Sequence, residues 1–388
     1  MKILRDAEEA MKANKLAEAE ALYAKAEGEL ESEGYALAVN LGALTLRRRD
    51  FSAADAHLAR YRARYGGRPE FENLEANLAK ARGDYAKAEA HYRAAIAARP
   101  QHASAHYNLA LLLLLLGRWQ EGWEEHEWRW KTSFVPNPNR LPPLSREAVE
   151  HLRATRKITV WPEQGMGDFI HFTGYLRAAR EHHEIKIAER PHVRDLIGLF
   201  LPDTDKAPGE FARLSDAGHR IVPLMSLPLL MQAWQPVPVP PRPLAKSSRR
   251  KGAAYRVALC WKGNFKHQND ADRSLSLNRI KALLPRRAEI IAVQLECTDA
   301  EREEVRKLGW TLAEPSSWIE TKALLADVDE VFSVDTGFAH FAAAHGVPTK
   351  LVLSEVPDWR WGTHGGRSAL YPAVDIIRLR FGTFGHRH

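Results

Sequence analysis

The sequence predicts an array of paired α-helices followed by two α/β halves built on parallel sheets. Three observations carry that expectation. The first third repeats itself at an offset of about 34 residues. After Arg156 short β-branched runs begin to alternate with runs of helical spacing. Proline-rich stretches, "TSFVPNPNRLPPLS" and "QPVPVPPRPLAKSSRRKG", stand where the pattern changes.

The repeat is read from four blocks: "NKLAEAEALYAKAE" from Asn14, "RDFSAADAHLARYR" from Arg49, "GDYAKAEAHYRAAI" from Gly83 and "GRWQEGWEEHEWRW" from Gly117. Each places Leu or an aromatic early (Leu16, Phe51, Tyr85, Trp119). A small residue follows three positions on (Ala19, Ala54, Ala88, Gly122), and a large one four beyond that (Tyr23, Leu58, Tyr92, His126). Small residues let paired helices approach and large ones fill the space between pairs. The pattern resembles tetratricopeptide repeats, which stack helix pairs into a curved α-solenoid with a concave face. The array is expected over residues 1–131, with a linker over 132–156. Its aromatics are expected in the core, and a protein partner is the default ligand of its face.

Composition narrows the function classes. The chain of 388 residues has 45% hydrophobic content, enough for sizeable cores. No run of about 18 apolar residues occurs, so no membrane span is expected, and the N-terminus lacks the apolar core of a signal peptide. Cys260 and Cys297 fit neither a disulfide framework nor a zinc site, and they read as reduced thiols of a cytoplasmic protein. Residues 1–131 balance 20 basic against 20 acidic side chains; residues 132–388 hold 36 against 29, the whole net charge of +7. That surplus suits an anionic ligand in the C-terminal part and is too small to argue for nucleic acid.

The α/β part divides at the second proline-rich stretch. Residues 157–244 read strand "KITVW", helix "GDFIHFTGYLRAAREH", strand "EIKIAE", helix "HVRDLIGLFLP" and strand start "HRIVP". Residues 253–388 restart with "YRVALCW" and continue through the strands "AEIIAVQLE", "EVFSV" and "PTKLVLS", separated by helices. Two Rossmann-like halves result, whose ligands are expected at the carboxyl ends of the strands.

Two motifs sit at such ends in the second half. In "SVDTGFAHFAAAHGVP", Asp335 or Thr336 can cap the helix, Gly337 admits a ligand to the backbone, and His340 shares the first turn. Free N–H groups and the helix dipole there attract an anion. The loop "CWKGNFKHQNDADRS" gathers Lys262, Gly263, Asn264, Lys266, His267, Asn269, Arg273 and Ser274, donors suited to phosphates and hydroxyls. In the first half, "WPEQGMGDF" puts the carboxylate Asp168 after Gly165 and Gly167 at a helix entrance, where it would repel a phosphate. The acidic triplets at Asp203 and Asp205 and at Asp327 and Asp329 are discounted as metal sites, the latter because it lies at the wrong edge of its strand. Neither a dinucleotide fingerprint nor a Walker motif is present.

Together "EQGMGD", "VPLMSLP", "CWKGNFKHQNDADRS", "SVDTGFAHFAAAHGVP", "PDWRW" and "YPAVDIIR", from about Lys157 onward, resemble the bacterial glycosyltransferase-like domains that follow tetratricopeptide repeats. Those are similar to heptosyltransferase-type (family 9) enzymes and, more distantly, to O-linked N-acetylglucosamine transferases. The resemblance implies a GT-B fold and metal-independent transfer of a sugar from a nucleotide-sugar, with no separate cofactor. It implies donor binding by Gly165, Gly167, Lys262, Asn264, Arg273, Ser274, Asp335, Thr336, Gly337 and His340, and Asp168 as catalytic base. A helix cap remains the other reading of Asp168. The chain departs from the pattern at Trp161-Pro162, Lys262 and Gly337. A protein hydroxyl presented by the repeats is the expected acceptor, with surface-appendage subunits such as flagellins implied by the resemblance. The alternatives are a scaffold whose transferase half has lost its chemistry, and transfer to a saccharide.

Overall fold

The computed structural model describes residues 2–29, 34–132, 135, 141–207, 220–245, 254–264 and 270–379. Of the donor-rich loop, Lys266, His267 and Asn269 lie outside these residues. The chain forms two compact units, one containing the helical array and the other both parallel sheets.

The array comprises α1 (Lys2–Lys12), α2 (Leu16–Glu29), α3 (Gly34–Arg47), α4 (Phe51–Tyr65), α5 (Pro69–Ala81), α6 (Tyr85–Ala98), α7 (Ala103–Leu115) and α8 (Trp119–His126), with a 3-10 turn over Glu127–Lys131. The second helix of each pair starts at Leu16, Phe51, Tyr85 or Trp119, the repeat position that carries Leu or an aromatic. Ala19, Ala54 and Ala88 are fully buried, and Tyr23, Leu58, Tyr92 and His126 nearly so. Small residues therefore set the helix spacing and large ones seal it. Trp123 is core, whereas Tyr85 and Trp119 are half-buried at the helix starts.

The turn inside each pair is also periodic. Asn14, Arg49, Gly83 and Gly117 all take positive φ, 58°, 57°, 77° and 77°. Asp50 and Asp84 then cap the following helices, accepting from the N–H of Ala53 at 2.9 Å and of Lys87 at 3.2 Å.

The second unit opens with α9 (Arg146–Arg153), a helix capped by Ser145 within a stretch that reads as linker in the sequence. Then come β1 (Lys157–Trp161), α10 (Met166–Ala179), β2 (Glu184–Ala188), α11 (Arg194–Phe200), β3 (Asp205–Ala207), β4 (Ile221–Pro223) and α12 (Leu227–Met231). The four strands pair in parallel in the order β3-β2-β1-β4, with Val160 opposite Ile187 and Val222.

The second sheet holds β5 (Arg256–Cys260), β6 (Glu289–Val293), β7 (Thr311–Ala313), β8 (Glu330–Val334), β9 (Thr349–Leu353) and β10 (Val374–Arg378). Its order is β10-β9-β8-β5-β6-β7, again all parallel. Between them run α13 (Asp270–Arg273), α14 (Leu277–Lys281), α15 (Asp299–Lys307), α16 (Trp318–Leu325) and α17 (Gly337–Ala344). The architecture is thus a helical repeat array followed by two Rossmann-like α/β halves. Both sheets reverse order beside their first strand, so β1 and β5 lead straight to the switch points where such folds gather ligands. The three-residue strands β3 and β7 and the edge strand β10 are additions to the strands read from the sequence. No helix of the described residues is long and apolar enough to cross a membrane.

Gly83→Ala puts a Cβ on a left-handed residue. It is expected to lower the stability of the array by about 1 kcal/mol in a urea melt. An unchanged midpoint would show that the turn relaxes freely.

Candidate functional site

The carboxyl ends of β1 and β8 each feed a helix, α10 and α17, and the amino ends of these two helices meet. A Cβ placed on Gly167 would stand 3.0 Å from the His340 ring and 3.6 Å from the Gly337 Cα. The missing side chains at 167 and 337 allow this approach. The two entrances are therefore in direct contact.

Asp168 occupies the third position of α10. Gly165 is the N-cap residue, and one Asp168 oxygen accepts its N–H at 3.1 Å. The other oxygen is ion-paired with the Arg360 guanidinium, whose side chain is 13% exposed against 18% for Asp168. The carboxylate thus both closes a helix end and neutralises a cation. Arg360 comes from the 3-10 turn Trp359–Trp361, which follows β9. It also donates to Asp358 at 2.5 Å and lies 4.4 Å from the Trp359 ring centre. Burial disfavours its charge, but Asp168, Asp358 and Asp335 outweigh that and hold its pKa above the ordinary arginine value.

At α17 the cap is Thr336, whose Oγ1 accepts the N–H of Ala339 at 3.4 Å and lies 3.1 Å from the Ser333 hydroxyl. Asp335 precedes it. Burial pushes this carboxyl up, but His340, Arg360 and Arg273 hold it below the usual range. An Nη of Arg273 donates to the Asp335 carbonyl at 3.3 Å. His340 is almost fully buried, with Nδ1 at 2.8 Å from the Tyr371 hydroxyl and Nε2 at 3.6 Å from Asp335. Nδ1 is held by the Tyr371 hydroxyl, whereas Nε2 lies beyond hydrogen-bond distance of Asp335. A phosphate-donor role for His340 would therefore fall to Nε2 and leave Tyr371 in place.

Lys262 is likewise committed. Its ammonium pairs with Glu301 at 2.5 Å, beneath the box in which Glu301 and Thr298 cap α15. Ser274 is buried and accepts the Gly263 N–H at 2.9 Å, closing the base of the loop. Asn264 is exposed at the end of the described part of that loop. Of the residues read as donor-binding, the structure gathers Gly167, Arg273, Asp335, Thr336, Gly337 and His340 at the helix entrances. Lys262 and Ser274 hold the loop that follows β5.

Four participants were not assigned roles from the sequence: Arg360, Tyr371, Trp361 and His171. His171 is 1% exposed, and neither ring nitrogen has a partner. Its ring centre is 5.7 Å from that of Trp359. Burial, with the charges of Arg360 and His340, depresses its pKa well below 6.5. Trp361 lies 5.0 Å from His340 between ring centres, and its buried Nε1 also lacks an acceptor.

The discounted acidic triplet lies at the other edge of the sheet, where Asp329 accepts the Arg256 N–H at 2.9 Å and Asp327 pairs with the Arg256 guanidinium. Among the described residues, no three His, Cys, Asp or Glu side chains converge in a group able to hold a metal.

Residues 73–122 match the family model of the tetratricopeptide repeat. The TPR match runs from within α5 through α6 and α7 to the start of α8. A comparison with curated proteins finds no match. Among solved structures, a mutant of the Thermobaculum terrenum O-GlcNAc transferase is 13% identical, with a TM-score of 0.35, over 91% of this chain and 82% of that one. Escherichia coli ADP-heptose LPS heptosyltransferase II is 13% identical, with a TM-score of 0.39, over 60% and 93%. The iron-containing dodecameric glycosyltransferase TibC of enterotoxigenic E. coli is 12% identical, with a TM-score of 0.38, over 56% and 64%. Likenesses this distant assign no substrate and no residue roles.

The sign of the His171 effect on stability is fixed by its depressed pKa. As pH falls through 6.5 the unfolded chain takes up a proton that the folded chain refuses, so stability is lost toward acid. His171→Leu removes that contribution. Wild type should lose up to about 1.4 kcal/mol more than the variant for each pH unit below 6.5, in denaturant melts across pH 7 to 5. Parallel profiles would mean that the imidazole protonates in place.

Proposed function

We propose that the second unit is a glycosyltransferase of GT-B type. It moves a sugar from a nucleotide-sugar to a hydroxyl of a protein recruited by the TPR array. The observation that carries this reading is the convergence of a helix amino end, two arginines and a carboxylate at one place: α17, Arg273, Arg360 and Asp168.

Thr336 takes one of the first N–H groups of α17, and those of Gly337 and Phe338 remain for a phosphate oxygen. Arg273 and Arg360 supply positive charge for a departing diphosphate. In the step, the acceptor oxygen bonds to the anomeric carbon. The bond from that carbon to the diphosphate oxygen breaks, and its electron pair leaves with the nucleoside diphosphate. The hydroxyl proton passes to Asp168. The TPR array, with balanced charge, is the surface left to choose the protein. Its concave face, rather than a long-range field, would set the choice.

One observation favours the rival reading of a scaffold with a silent transferase half. Asp168 and Lys262 both have internal partners that occupy their charged atoms. Heat-stability measurements against UDP-, GDP-, ADP- and CMP-sugars separate the two. A donor at 100 times its Kd adds about 2.7 kcal/mol, and Arg273→Ala should weaken the effective donor by roughly 10- to 100-fold. Asp168→Asn should slow transfer roughly 10²- to 10⁴-fold. If none of the sugars raises the melting temperature, the scaffold reading stands in place of the transferase.

A further inference from the structure

We propose that Arg360 binds the diphosphate of the ligand and that Asp168 holds its place until the ligand arrives, so that diphosphate binding releases the Asp168 carboxylate. This deepens the transferase reading and rests on it for the identity of the ligand. The exchange itself is a matter of charge and position.

Arg360 belongs to the turn after β9 in the second half, and Asp168 to α10 in the first; they are 192 residues apart in sequence. The pair lies against the α17 entrance, because Gly167, next to Asp168, packs on Gly337 and His340. A phosphate on the N–H groups of Gly337 and Phe338 would therefore lie beside the guanidinium now facing Asp168. A guanidinium fork fits two phosphate oxygens as well as two carboxylate oxygens. Asp358, two residues away at 2.5 Å, keeps Arg360 in place during an exchange.

Two buried side chains support a ligand at this spot. The Nε1–H of Trp361, adjacent to Arg360, and both nitrogens of His171 have no partner, although both residues are more than nine-tenths buried. Buried polar atoms are nearly always satisfied, so two orphans, one on the residue next to Arg360 and one that feels the Arg360 charge, leave unmet hydrogen-bonding capacity in this cluster. A diphosphate is rich in acceptors and has no donors when ionised, which suits an arginine and an indole N–H. It also carries more charge than one carboxylate, so it can displace Asp168 where a neutral sugar could not.

Atoms balance without chemistry: Arg360 exchanges one oxyanion for another, and Asp168 keeps its bond from the Gly165 N–H. A carboxylate with one oxygen freed is then available to the incoming hydroxyl. In the unliganded protein the base is masked, which disfavours idle hydrolysis of the donor before the site is filled.

Titration calorimetry on the full chain tests this with inorganic pyrophosphate and with UDP, GDP, ADP and their nucleosides. Asp168→Asn removes the competitor for Arg360, so pyrophosphate and the cognate nucleoside diphosphate should bind roughly tenfold more tightly. Arg360→Gln should weaken both by at least as much, Arg360→Lys should restore part of the loss, and nucleoside binding should change in none of them. Equal or weaker pyrophosphate binding by Asp168→Asn overturns the exchange even if Arg360→Gln fails to fold. No pyrophosphate binding by either wild type or Asp168→Asn overturns it as well. If pyrophosphate shows the exchange and every nucleotide fails to bind, the exchange stands and the transferase reading falls.

Discussion

Two helix amino ends touch in this protein, and that contact organises its second unit. Each end carries about half a positive charge, so α10 and α17 repel one another as they approach. Their glycines, Gly167 and Gly337, make the approach sterically possible but do not make it favourable. The carboxylates do that. Asp168 lies in the first turn of α10 and Asp335 immediately before the cap of α17, each complementing a dipole end. Arg360 and Arg273 then lie between or beside these acids, and Asp358 adds a third. The arrangement is close to neutral overall while being densely charged. Such a network is stable while its charges stay compensated, which ties the two sheets to the same small cluster.

This arrangement explains why α10 is buried along most of its length. Phe169, Ile170, Phe172, Tyr175 and Leu176 are all inaccessible, and so are His171 and Thr173 on other faces of the helix. A helix buried all round has no polar stripe, so periodicity reveals that it is a helix without telling what each face meets. His171 sits among Phe169, Ile170 and Phe172 in the sequence, and nothing in that spacing singles it out. Its meaning comes only from the company of Trp359 and Arg360, brought from far along the chain.

The repeat array was the most legible part. Its helix starts at Leu16, Phe51, Tyr85 and Trp119 follow from period and residue size alone, because each pair meets only its neighbours. Most strands of the sheets were legible too, since parallel strands buried on both faces are short β-branched runs. The exceptions have local causes. β3 and β7 are three residues long and lack a pattern to detect. α9 hides among prolines and owes its start to the Ser145 cap. At the site, the residues on the two helix entrances could be read from glycines and caps. Arg360 and Tyr371 stood in recognisable motifs, but their partners, Asp168 and His340, lie on other elements. Local spacing carries no information about such pairs.

Under the proposed transferase reading, the difference between a working enzyme and a silent one comes down to how firmly three internal pairs hold. Lys262 with Glu301 is also joined to a helix cap, so its release would loosen α15. His340 with Tyr371 is deep, and the hydroxyl is held neutral, because burial raises its pKa well above the ordinary tyrosine value despite the nearby Arg360 charge. That pair fixes the first turn of α17 through Nδ1. Asp168 with Arg360 differs from both. It keeps slight exposure on each side, each partner has a second partner that remains if the pair opens, and it stands at the helix entrance itself. Among these three pairs, therefore, Asp168 with Arg360 is the one that can open without dismantling a structural element, and it is the one that involves the carboxylate a glycosyl transfer would need.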